Sequence, residues 1–294
     1  MEIKKVGLIG MGVLGRTHYN WLKSQDKIEK ILVYDIKESD IPNDDLGYLV
    51  QESDVIFLSL PTPTGVNGSL DISNVEKMLD EINNGVESET VEIVIRSTMP
   101  IGSMNYLAGK YNKLKLYYMP EFLTERFAKD DFENPWIHIW GNTRKDIKET
   151  VKMFEAMKVA NVFPSAPKEL IVDSKIAEAV KLFTNSFYAL RIIFANEIYD
   201  LCAKQEINYE TVKTLLCCDT RIGSDFMDFS GNDVHFRIAQ DGKYGFGGKC
   251  LPKDLSEVVE MMCEIDAGYG LLQKVEEINN DIREKDVKGI DKKD

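Results

Sequence analysis

The sequence predicts an α/β protein: a doubly wound, mostly parallel sheet at the N-terminus, followed by an all-helical domain built on a long central helix. Three observations carry this expectation. A glycine loop, GMGVLG at Gly10–Gly15, joins a short apolar run to a helix-compatible one. Strand-length apolar runs alternate with helix-periodic segments as far as Phe163, the pattern of repeated strand–helix–strand units and so of parallel pairing. From about Lys168 the strand signal fades and long helices take over.

Lys4 to Gly10 (KKVGLIG) reads as a buried strand running straight into the glycine loop, with RTHYNWLKSQ as the helix behind it. This is G-x-G-x-x-G in the context it needs, the Rossmann-type phosphate loop. Gly10 allows the tight turn, Gly12 lets a pyrophosphate approach the backbone, and Gly15 permits close helix–strand packing. Val13 and Leu14 complete the loop that opens the helix, where an anion is favoured. The next strand, KILVYD, ends in Asp35 about twenty residues after Gly15, where a carboxylate can accept from a ribose 2′-hydroxyl. Asp35 argues for NAD as cofactor; Lys37 keeps NADP as the alternative.

Asp54 to Leu60 and Val91 to Ser97 are the following β-rich runs, with DISNVEKMLDEI as a helix between them. Their ends carry PTPT, with Pro61 and Thr62, and STMPIG, with Ser97 and Thr98. Ligands of open α/β sheets bind beyond the carboxyl ends of strands, so these loops are expected to meet cofactor or substrate. LKLYYMPEFLTERF supplies a further strand leading to the acids Glu121 and Glu125, and WIHIWG another. Asp173 to Gln205 is the longest helical stretch, and its aromatic residues surround so much of the circumference that it is expected to be buried on several sides. Lys181 and Asn185 lie four apart on it, able to aim an ammonium and an amide at one oxygen. A snorkelling lysine beside a solvated Asn is the alternative.

GFGGKCLPKD, Gly245–Asp254, places Cys250 in a glycine-rich loop with Lys249, Lys253 and Asp254 close by. A thiol attacks carbonyl carbon as thiolate, so neighbouring cations suit a nucleophile. The alternative is an inert cysteine packed as a small hydrophobe.

Composition limits the rest. With 294 residues, 44% hydrophobic, the chain is expected to form a 1–166 dinucleotide-binding domain, a 167–284 helical domain and a 285–294 charged tail. A formal net charge of −13 disfavours nucleic acid and anionic membranes as partners. Five cysteines without secreted-domain spacing, an N-terminus that enters its first strand at once and the lack of a bilayer-length apolar run lead us to expect a cytoplasmic protein with reduced thiols. Three scattered histidines suggest no metal site.

The ordered set of glycine loop, PTP, STMP, PEFL, Lys181/Asn185 and GFGGKCLPKD resembles the UDP-glucose/GDP-mannose dehydrogenase family from about Ile3 to Asn279. The resemblance implies an NAD-dependent four-electron oxidation of a nucleotide sugar's primary alcohol to a uronic acid by a homodimer joined through the helix at Asp173–Gln205. It implies Cys250 as nucleophile, Lys181 and Asn185 as oxyanion donors, Thr98 and Asp254 as water-positioning residues and Glu121 as the base for thioester hydrolysis. Glu125 and Lys253 match substrate-site positions, and Arg221 matches an arginine that reaches a neighbouring subunit's site. Against the family's pattern, the stretch from Asp35 to Asp54 is short by a strand's worth of chain, and the sequence stops where the family adds a third domain that grips the nucleotide. Arg237 and Lys243, in a long interval before Cys250, are candidate phosphate ligands in its place. A two-electron β-hydroxyacid dehydrogenase and a non-catalytic NAD-binding subunit are the alternatives.

Overall fold

A computed structural model of the chain describes residues 2–37, 41, 43–86, 91–143, 147–219, 238–239, 241–268 and 270–287, with side chains to residue 284. It divides into two compact units, Met1–Pro63 with Asp71–Lys181, and Thr64–Leu70 with Leu182–Asp294.

The first unit is a seven-stranded sheet. Its strands are β1 (Lys5–Ile9), β2 (Lys30–Tyr34), β3 (Val55–Leu58), β4 (Val91–Ile95), β5 (Leu114–Tyr118), β6 (His138–Asn142) and β7 (Glu169–Asp173). They lie in the order β2-β1-β3-β4-β5-β6-β7, and every pairing is parallel except β5 with β6. The helices are α1 (Val13–Leu22), α2 (Leu46–Glu52), α3 (Ser73–Gly85), α4 (Ser103–Lys110), α5 (Ala128–Glu133) and α6 (Ile147–Val159). Central strands such as VIFL and VEIVI are apolar or buried along their whole length because helices cover both sheet faces.

On one face Ile56, Leu58, Ile93 and Ile95 meet Leu49 of α2, Leu79 of α3 and Leu107 of α4. On the other, Leu8, Phe57, Val94 and Trp140 meet Leu22 of α1 and Phe154 of α6. Each fully buried side chain of this size stabilises by ~1.5–3 kcal/mol. Between Asp35 and Asp54 the described residues hold one helix, α2, and no strand.

Strand β7 corrects the expectation that strands end at Phe163. ELIVD is a half-exposed edge strand, so it shows neither the continuous apolar run of a central strand nor a clean alternation.

The second unit is helical. Helix α7 (Ser174–Lys204) starts in the first unit and continues into this one, followed by α8 (Tyr209–Cys217), α9 (Leu251–Glu264) and α10 (Gly270–Val287). Ala189, Ile192 and Ile193 of α7 pack with Phe246, Leu255 of α9 and Val275 of α10. Among the described residues the expected enclosure of α7 on several sides is not met. Phe183, Phe187 and Phe194 are 54, 55 and 48% exposed, because the helix buries one face only, that of Leu182, Asn185, Ala189, Ile192, Ile193 and Asn196. No helix among the described residues is long and apolar enough to cross a membrane.

Candidate active site

The glycine loop shows three different uses of a missing side chain. At Gly10, φ is +92°, and a Cβ would lie 2.4 Å from the Ser59 carbonyl oxygen. At Gly15 it would lie 2.0 Å from the Gly10 carbonyl oxygen, so this glycine lets α1 close onto β1. At Gly12 it would meet nothing within 4 Å, leaving open space where a ligand's phosphates come close. Gly12 is the N-cap of α1 and makes no side-chain cap, and the first turn holds no acid. The first N–H groups of α1 are thereby left to an anion.

Asp35 braces this loop. Its Oδ2 accepts from the Met11 backbone N–H at 2.5 Å and its Oδ1 from that of Lys37 at 2.8 Å. Each oxygen keeps a second lone pair for a ribose hydroxyl. Loop, helix terminus and carboxylate together fit a dinucleotide, and the residues that would hold it are Gly10, Gly12, Val13, Leu14, Gly15 and Asp35.

At the next strand ends the hydroxyls are turned inward. Ser97 Oγ accepts from the Leu60 N–H and donates to the Leu60 carbonyl, at 2.9 and 2.7 Å. Thr62 Oγ1 donates to the Thr98 carbonyl at 2.9 Å. Ser97 and Thr62 are buried ties between two loops, Thr98 is partly accessible and Pro61 is exposed.

Glu121 is held at both oxygens: Oε1 accepts from the Phe122 N–H at 2.6 Å, and Oε2 pairs with Nη2 of Arg96, a buried residue directly after β4. Lys181 is buried, with Nζ 5.4 Å from the centre of the Phe122 ring. Glu125 is exposed at the start of a short turn, Glu125–Phe127.

Two features of this unit escaped the sequence reading. One is Arg96. The other is Glu178, fully buried, whose oxygens accept from the N–H groups of Gly102 and Met104 at 2.6 and 2.7 Å and so cap α4 behind the STMP loop. Burial pushes this carboxyl up to about 7 against the opposing pull of the two N–H donors. Its place three residues before Lys181 on α7 was the available signal. His18 is pushed down to about 3 and His138 to about 4 by burial and by Arg96, so both are neutral side chains of the core. Among the described residues no group of His, Cys, Asp and Glu could hold a metal ion.

In the second unit Cys250 is exposed at the N-cap of α9, with Pro252 in the first turn. Asp254, fully buried one turn along, accepts from Asn185 Nδ2 at 2.5 Å and from Lys253 Nζ at 2.6 Å. Asn185 is buried and bonded to a carboxylate, unlike the solvated Asn of the alternative reading, and Lys253, one of the cations expected near the thiol, pairs with its neighbour Asp254.

The glycine loop before Cys250 is held by side chains from far away in sequence. Asn196 Oδ1 accepts from the Gly245 N–H at 3.1 Å and Asn279 Oδ1 from that of Phe246 at 2.7 Å. Arg283 pairs with both oxygens of Asp241 and packs so close to Gly247 that a Cβ there would lie 1.9 Å from Nη2. Glu257 of α9 accepts from the Leu70 N–H at 2.5 Å, fastening the segment Thr64–Leu70 to this unit. Lys243 is exposed, while Arg221 and Arg237 lie outside the described residues. All five cysteines are free thiols.

Residues 43–158 match the NAD binding domain of the UDP-glucose/GDP-mannose dehydrogenase family, and residues 175–281 match its central domain. The UDP-glucose 6-dehydrogenase of Rickettsia felis is 30% identical over 224 residues, 75% of this chain and 45% of the relative. That of Pseudomonas aeruginosa is 28% identical over 238 residues, 78% of this chain and 49% of the relative. The chain thus spans about half the length of these relatives.

Among solved structures, a UDP-glucose dehydrogenase from Pyrobaculum islandicum superposes with a TM-score of 0.75 at 21% identity, covering 95% of this chain and 68% of the other. A 3-hydroxyisobutyrate dehydrogenase from Mycobacterium tuberculosis gives 0.69 at 15% identity, covering 96 and 94%. At these identities the likeness is one of fold. The two domain matches fall on the glycine-loop unit and on the unit carrying Asn185, Cys250 and Asp254, and with them the chain belongs to the UDP-glucose/GDP-mannose dehydrogenase family.

Proposed function

We propose that the chain catalyses the NAD-dependent four-electron oxidation of the primary alcohol of a nucleotide sugar to a uronate. One primary alcohol, two NAD+ and one water give one carboxylate, two NADH and three protons. The observation that most supports this reading is the bonding of Asn185 to buried Asp254 one helical turn beyond Cys250. It ties an amide of α7 to a carboxylate of α9, the helix whose N-cap is the proposed nucleophile.

Bound NAD supplies the hydride acceptor for both oxidations. The rest falls to the protein. The alcohol must lose a proton as it loses hydride, and Lys181 and Asn185 stabilise the oxygen on which negative charge develops. Cys250 sulfur bonds to the aldehyde carbon, so that the aldehyde is held as a thiohemiacetal, and the second oxidation leaves a thioester. Glu121 takes a proton from the water that hydrolyses it, with Thr98 and Asp254 positioning that water. Glu125, Lys253 and Arg221 contact substrate in this reading, and Lys243 with Arg237 binds its phosphates.

A homodimer belongs to the same proposal. Phe183, Phe187, Phe194 and Leu201 are each about half exposed and recur at four- and seven-residue intervals, an apolar stripe along one face of α7. A second copy of this helix would cover it.

The deciding experiment is an NAD-reduction screen against UDP- and GDP-sugars and simple β-hydroxyacids, counting NADH per product. Two NADH per uronate is the expected result. One NADH per hydroxyacid would replace the reading with a two-electron dehydrogenase, and no reduction with any of them would leave an NAD-binding subunit.

A further inference from the structure

Arg96 is an unusual residue to bury. It directly follows β4, extends that strand's pairing by donating its N–H to the Leu58 carbonyl at 2.9 Å, and has a side chain only 4% exposed. Its Nη2 pairs with Glu121 Oε2, while Nε and Nη1 are buried and have no hydrogen-bond partner among the described residues.

As a stabilising device this is poor. Each buried unpartnered donor costs roughly 1–3 kcal/mol, and buried ion pairs are often matched or bettered by apolar side chains of the same volume. The same guanidinium is an effective positioning device. A carboxylate with one oxygen on a guanidinium and the other on the Phe122 N–H at 2.6 Å has lost its rotational freedom, and a proton acceptor displaced by about 1 Å loses on the order of 100-fold in rate.

We propose that Arg96 is the positioning residue for Glu121 in hydrolysis of the acyl-enzyme, an inference that rests on the reading of Glu121 as the hydrolytic base. In that step the water oxygen bonds to the acyl carbon. The C–S bond breaks with its electron pair leaving on the Cys250 sulfur. Glu121 takes one water proton and the other stays on the new carboxyl group until it ionises. Arg96 touches none of the reacting atoms and acts only through the carboxylate it holds.

The step can be tested apart from sugar oxidation. The full chain is acetylated with p-nitrophenyl acetate, and loss of acetyl from each cysteine is followed by peptide mass spectrometry. Exposed Cys218 and Cys263 serve as internal references. Acetyl-Cys250 is expected to hydrolyse faster than the references in the natural protein and on the order of 100-fold more slowly in Arg96→Met. Glu121→Gln should show the same loss, the double variant no further loss, and Arg96→Lys a partial recovery. The references should be unmoved throughout, which a general loosening of the fold would not produce.

A natural rate at Cys250 in Arg96→Met overturns the proposal. So do losses that multiply in the double variant, because independent sites add their free energies. With UDP-glucose and NAD, Arg96→Met should release a burst of two NADH per subunit and then stall. Failure of the natural protein to oxidise UDP-glucose, with the acetyl result intact, would count against the nucleotide-sugar reading and not against the Arg96–Glu121 pair.

Discussion

Asn185 donates to Asp254 through Nδ2 at 2.5 Å, and the other carboxylate oxygen accepts from Lys253 at 2.6 Å. Asp254 therefore holds the amide of one helix and the ammonium of its own, and is itself fully buried. Asp254→Asn removes the charge that both donors share and leaves a lysine, 17% exposed, without its counter-ion. The variant should lose about 2–4 kcal/mol of stability, read as a lowered urea midpoint at unchanged slope. A loss below about 0.5 kcal/mol, the scale of an ordinary surface change, would show that the pair is not held as described.

Cys250→Ser should abolish uronate formation while leaving NAD affinity within about twofold. In the proposed mechanism the thiol captures the aldehyde covalently, and it belongs to a different unit from the glycine loop. Uronate production at the natural rate would remove the cysteine from the mechanism.

How much of this could be read in advance follows from how local each cause is. Gly10, Gly12 and Gly15 answer to sterics within a few residues, so the loop and the β1–α1 unit were legible in the sequence. Lys181 and Asn185 share a face because a helix repeats every 3.6 residues. Glu178 reaches Gly102 and Met104, more than seventy residues earlier, and Asn196 and Asn279 reach Gly245 and Phe246. No periodicity marks such a residue, since its role is set only when the chain has closed. Arg96 lies unmarked within the β-rich run Val91 to Ser97 for the same reason. The aromatics of α7 misled in the opposite sense: their number was legible, but whether the chain itself or another copy covers them is not written in a helical repeat.

That stripe gives the third prediction. Phe187→Asp puts a charge in the middle of the exposed apolar face of α7 and should weaken self-association by about 30-fold or more, the effect of losing a central contact worth 2 kcal/mol. Sedimentation velocity over a range of concentrations measures it. A natural protein that stays monomeric at every concentration would remove the helix-to-helix dimer.

Asp35 now carries two duties, since its oxygens hold the Met11 and Lys37 N–H groups. Asp35→Ala should weaken NAD binding by roughly 10- to 100-fold and NADP binding less, because the same carboxylate repels a 2′-phosphate. Titration of both cofactors measures the two losses. Equal losses would mean that Asp35 acts only as a brace of the loop and makes no contact with the ribose.

Glu178 makes stability depend on pH in a direction opposite to that of most carboxylates. Burial raises its pKa in the folded chain to about 7 from an ordinary 4.5, with Asp173 adding to the rise and the two N–H donors and Lys175 opposing it. Between those values the folded state holds a proton that the unfolded state has released. Stability from this group is therefore fully present below about pH 4.5 and lost as the pH rises through about 7. Over that window the loss is on the order of 2–3 kcal/mol. Glu178→Gln keeps the shape of the protonated acid and cannot titrate. The difference in unfolding free energy between the natural chain and the variant, measured by urea at pH 5 and pH 8, should move toward the variant by that amount, because every other carboxylate contributes equally to both. A difference that stays constant across the window would mean that Glu178 is ionised throughout, with its two N–H bonds outweighing its burial.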